Sequence, residues 1–82
     1  MKLTRYWIEF EIGLNKIGYG VSGYGFDDAL NLIKDNVFKA QKVPAVKSMI
    51  EDVDISTLDS NHVLLNIAPP NVRGIWFPLG YQ

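Results

Sequence analysis

The chain has 82 residues, 48% hydrophobic and 21% charged, a composition that excludes intrinsic disorder and fits one globular domain, 1–82, with a thin core. It holds no cysteine, which excludes disulfide frameworks and thiolate zinc sites, and a net charge of −1 with lysines scattered from Lys2 to Lys47 lacks the basic stripe of a nucleic-acid module. No apolar run approaches the ~18 residues of a membrane span, and Met1–Arg5 opens no signal-peptide core, so we expect a soluble, cytoplasmic protein that binds neither nucleic acid nor membrane.

The first element is an alternation from Tyr6 to Ile12, with Tyr6, Ile8, Phe10 and Ile12 on one face and Trp7, Glu9 and Glu11 on the other. Period two predicts a half-buried strand. Gly13–Lys16 is a turn, and Ile17, Tyr19 and Val21 then alternate with Gly18 and Gly20, completing a β-hairpin whose glycine face leaves room for Trp7 or for another backbone. Gly25 or Asp27 caps the next element, and Asp27 and Asp28 place negative charge in its first turn. Ala29, Leu30, Ile33, Val37 and Ala40 are spaced as the apolar stripe of a helix of about 13 residues, which ends before Pro44.

Met49 to Ile55 alternates again and predicts a third strand, with Asp52 and Asp54 projecting from one face. Ser56–Asn61 is rich in turn formers, and Val63–Ile67 reads equally as strand or helical turn. Val72–Phe77 predicts a last strand that ends at Pro78, with Ile75 and Phe77 inward and Arg73 and Trp76 outward. The expected architecture is α+β, two-layer, in β-β-α-β-β order, with one helix packed on one face of a mainly antiparallel sheet.

Three segments suggest chemistry. Gly18-Tyr19-Gly20-Val21-Ser22-Gly23 has the spacing of a dinucleotide fingerprint, but its glycines begin inside a hairpin strand and not at a strand-to-helix turn of a parallel unit. Asp52 and Asp54, with Asp59 and the one histidine, His62, are candidates for a hard cation or for acid–base work. As a calcium loop opened by Asp52, however, the segment puts Thr57 where glycine is needed and Val63 where a bidentate glutamate is needed. Caps of the following turn are the plainer role for these aspartates. Finally, Arg73, Trp76, Phe77 and Tyr81 crowd the last residues; Arg73, Trp76 and Tyr81, joined by Trp7, are residue types that dominate protein–protein contacts.

Gly20-Val21-Ser22, Asp28-Ala29-Leu30, Glu51-Asp52-Val53-Asp54, Ser56-Thr57-Leu58-Asp59, Asn61-His62-Val63-Leu64 and Arg73-Gly74-Ile75-Trp76-Phe77-Pro78 with Gly80-Tyr81 resemble a family of short uncharacterised bacterial proteins. Leu65 stands where that family commonly has proline, and Gly23 where it has a small alanine-like residue. The resemblance implies a bacterial origin, with no activity, catalytic residue or cofactor. The expected function is therefore a non-enzymatic protein-binding or accessory module, engaging a protein partner or a second copy of itself through the sheet edge and the Arg73, Trp76, Tyr81 surface. The competing expectation is a small metal-dependent or acid–base enzyme using Asp52, Asp54 and His62.

Overall fold

A computed structural model describes residues 2–11, 18–39, 42, 45–58, 63 and 66–79. Strand β1 (Thr4–Phe10) pairs antiparallel with β2 (Tyr19–Gly23), as the alternating hairpin pattern predicts, in a register that sets Trp7 opposite Gly20 and Ile8 opposite Tyr19. Helix α1 (Phe26–Ile33) follows, then β3 (Val46–Glu51), which pairs antiparallel with β1, and β4 (Gly74–Phe77), which pairs antiparallel with β2. The strand order is β3-β1-β2-β4, an antiparallel sheet with the helix on one face: the α+β fold expected from the sequence. The predicted turn at Gly13–Lys16, like Ile12 and Ile17, lies outside the described residues.

On the helix face the odd-even alternation of β1 and β2 delivers Tyr6, Ile8, Tyr19 and Val21, which pack with Ala29, Ile33 and Ile75. Gly25 is the helix N-cap, and its carbonyl accepts from the Ala29 N–H at 3.0 Å. The α-helix is only eight residues long because Lys34–Phe38 continues it as a π-turn, closed by the Lys39 N–H donating to the Lys34 carbonyl at 2.7 Å. Widening the turn moves the buried position after Ile33 from i+4 to i+5. Phe38 is thereby buried and meets Phe10 and Tyr19 edge-on at 5.4 and 6.3 Å, while Val37, which an unbroken helical stripe puts inside, is only half-buried.

The opposite sheet face is not open to water. Trp7, Trp76 and Phe77 form a second core there with Val53 and Val63, and Ile55, Leu58, Ile67 and Ala68 pack around it. Two predicted strand limits change as a result. β3 stops at Glu51 and does not run on to Ile55, because Asp52 takes a left-handed φ of 56° and turns the chain under the sheet, where the Val53 N–H donates to the Arg5 carbonyl at 3.1 Å. β4 starts at Gly74 and not at Val72, and a register irregularity opposite Gly20/Val21 breaks its alternation. Ile75 thus faces the helix, whereas Trp76 and Phe77 both join the second core. Of the Val63–Ile67 segment, ambiguous in sequence, Leu64 and Leu65 lie outside the described residues, and the Asn66 N–H donates to the Val63 carbonyl at 2.9 Å.

Glycine makes this second core possible. A Cβ on Gly20 would collide with the six-membered ring of Trp76, and one on Gly18, whose φ is also +134°, would lie 2.9 Å from Trp7 Cε2 and Nε1. Gly25, by contrast, has nothing within 4 Å of such an atom. Gly20→Ala should therefore lower stability by about 1–3 kcal/mol through overpacking, while Gly25→Ser, a good N-cap, should leave it within about 0.5 kcal/mol or raise it. Urea unfolding of both variants checks this, and an equal effect at the two positions would refute it.

Candidate functional site

The four residues expected to form a recognition surface separate in the structure. Trp7 and Trp76 are 4% and 1% exposed, so both indoles are core and neither presents itself to a partner. The sequence placed them correctly away from Tyr6, Ile8 and Ile75, but that face is lined by a second layer and not by water. Arg73 is exposed, and Tyr81 lies outside the described residues.

Arg73 is committed to a neighbour. Its Nε and Nη2 donate to Asp28 Oδ2 and Oδ1 at 2.9 and 2.6 Å, and its guanidinium carbon lies 5.9 Å from the centroid of the Tyr24 ring. Asp28 also accepts from the Tyr24 N–H at 2.9 Å, so one carboxylate ties the approach to β4 to the first turn of α1. The bonds from Arg73 and then Tyr24 hold the Asp28 carboxyl down at about 2, from an ordinary 3.8, against a partial opposing effect of desolvation. Beside this pair a groove of about 380 Å³ runs between α1 and β4, lined by Leu32, Asn36, Pro69, Val72, Gly74 and Ile75.

Asp52 and Asp54 are not strand neighbours sharing a face. Asp52 stands in the turn after β3, whereas Asp54 caps a single 3-10 turn, Ile55–Thr57, accepting from the Ser56 N–H at 3.0 Å and the Ser56 hydroxyl at 2.7 Å. Those bonds lower the Asp54 pKa. The capping role foreseen for the aspartates is the one Asp54 performs. His62 and Asp59 lie outside the described residues, and among the described residues no three acidic or histidine side chains gather as a metal set.

The sequence leaves the expected sheet edge unassigned to a strand; on the side away from β4 it is β3. Its burial runs from half-buried Val46 to exposed Glu51, with Met49 38% and Ile50 49% exposed on opposite faces. β3 is the last strand of the sheet on that side, and no described residue pairs with its outer edge. Helix α1 packs on β2 and β4, away from it. The signal was present in the composition of the strand: Lys47, Met49 and Glu51 on one parity and Ser48 and Ile50 on the other give neither parity a clean apolar face.

Comparison with known proteins finds no matching family model, no matching curated protein and no matching solved structure. Among the described residues, no helix is long and apolar enough to cross a membrane.

Two outcomes follow for the residues at β4. Trp76→Ala should cost about 3–5 kcal/mol, so loss of any binding in that variant must track loss of the folded signal in circular dichroism; binding lost with full stability would contradict the burial. In Arg73→Ala the Asp28 carboxyl should titrate upward from about 2 toward 3.8, read from its carboxyl carbon shift. Because the folded-state pKa is depressed, the stability this pair contributes is full above pH 3.8 and is lost as pH falls through about 2.

Proposed function

We propose that this chain is a non-enzymatic module that binds another polypeptide by adding it, backbone to backbone, to the free edge of β3. One observation supports the reading above the others: β3 offers an unpaired strand edge among the described residues, with apolar Met49 and Ile50 exposed on its two faces. An added strand draws affinity from main-chain hydrogen bonds and selectivity from alternate side chains, and this edge supplies both. The Arg73 surface expected from sequence is secondary in this reading, since its guanidinium is already paired with Asp28 and its indole neighbour is buried. The acid–base or metal reading gains nothing from a carboxylate at Asp54 that is engaged in capping.

A photo-crosslinking residue placed at Ser48, in the middle of β3, should give an adduct with a polypeptide in cells, whereas the same residue at exposed Asp35 in the π-turn should give none. Adding Ile50→Glu to the Ser48 probe should abolish the adduct without shifting the melting temperature. An adduct of equal yield from Asp35, or none from Ser48, would overturn the reading.

A further inference from the structure

We infer that the polypeptide added to β3 is a second copy of this chain, paired antiparallel about a two-fold axis through Met49. The inference rests on the edge reading above and specifies its partner. A two-fold perpendicular to the sheet keeps side chains on matching faces and therefore pairs residues of like parity, so in regular pairing the axis passes through one residue of the strand. With the axis at Ser48, Ser48 faces itself and Lys47 faces Met49. With the axis at Ile50, Ile50 faces itself and Met49 faces Glu51. Only the axis at Met49 sets Lys47 against Glu51 of the partner, and by symmetry does so twice, with Met49 on Met49 between the pairs and Ser48 beside Ile50 on the reverse face. This is the register in which the charges of the edge complement themselves.

The local structure allows it. Against β1, the strand is regular from Ser48 to Glu51, where Ser48, Met49, Ile50 and Glu51 face Glu9, Ile8, Trp7 and Tyr6 in turn. Lys47 is the extra residue of an irregularity at Glu9/Phe10, which ends the regular ladder there and leaves its exposed side chain, with a long reach, at the end of the pairing segment. Glu51 and Lys47 are both exposed in the single chain, and neither forms a salt bridge with another described residue, so pairing breaks no ion pair among the described residues. The product is one continuous sheet in the order β4-β2-β1-β3-β3-β1-β2-β4.

Purified chain should sediment as a monomer–dimer equilibrium. Lys47→Glu and Glu51→Lys each convert two attractive cross-strand pairs into two repulsive ones, and each should weaken the dimer by about tenfold or more. Mixing the two variants in equal amounts should restore a dimer, because every cross-strand pair is then opposite in sign, and the doubly exchanged chain should restore it too. Unchanged melting temperatures confirm that neither variant acts by unfolding. A wild-type chain that stays monomeric at its solubility limit, or a dimer indifferent to both variants, would overturn the inference. Failure here is distinguishable from failure of the edge reading: an adduct from Ser48 with a polypeptide other than this chain would leave the edge in use and the second copy excluded.

Discussion

The indole rings of Trp7 and Trp76 occupy the space that side chains at positions 18 and 20 would fill, and the lower half of the molecule is arranged around that constraint. A buried tryptophan removes about 150–250 Å² from water, which at about 25 cal/mol/Å² is an upper estimate of 4–6 kcal/mol for each ring. The whole domain, at this length, has a net stability of about 4–12 kcal/mol. Trp76 Nε1 is buried with no hydrogen-bond partner among the described residues, a loss of about 1–3 kcal/mol that the ring's burial exceeds. The rings meet at 6.1 Å, with Phe77 5.5 Å from Trp7, and they give Val53, Ile55, Leu58, Val63, Ile67 and Ala68 a surface to pack on. Without that layer the sheet would be half-solvated, as antiparallel sheets often are.

Much of the fold was legible because periodicity reports the sheet directly. The hairpin, the helix start, the apolar positions Ala29 and Ile33, and the glycine face that receives the rings are properties of nearest neighbours and of strand parity. The misplaced limits arise where tertiary contacts override parity. Asp52 adopts a left-handed backbone that alternation cannot express, and the irregularity in β4 turns two consecutive residues, Trp76 and Phe77, into the same core. Phe38 was invisible for the same reason, since its burial depends on a π-turn that changes the helical period locally. The candidate surface was the least legible part. An aromatic at a chain end looks alike in sequence whether it caps a core or waits for a partner, and the partner of Arg73 lies 45 residues away at Asp28.

The two outer strands of the sheet are treated differently, and that difference bears on function. β4 is covered: the Ala68 N–H donates to the Trp76 carbonyl at 2.9 Å, and the buried Ser22 hydroxyl donates to the Pro70 carbonyl at 2.6 Å, drawing the 66–71 segment alongside. The Arg73–Asp28 pair then fastens the residues before β4 to the helix. β3 has no equivalent among the described residues. Its neighbour β1 is central and buried from Tyr6 to Ile8, yet β3 itself is exposed from Lys47 to Glu51. A strand held in a ladder on one side, with its outer edge bare among the described residues, is pre-organised for strand addition, because its backbone is already extended.

An open edge ordinarily invites uncontrolled aggregation, and a lysine on the edge is one of the ways proteins prevent it. Lys47 serves that purpose against a generic apolar strand, which would have to strip water from its ammonium without replacing it. The presence of Glu51 four residues on changes the outcome for one partner only, the same strand run in the opposite direction. Association through that register would be isologous, using the same patch on both copies, and would consume the edge that is bare among the described residues. Since β4 is already covered by the 66–71 segment, the paired sheet has no second bare edge of the same kind at which to grow. If β3 pairs as proposed, the covering of β4, packed on the tryptophan layer beneath the sheet, would end that pairing at two copies and keep it from propagating into a fibre.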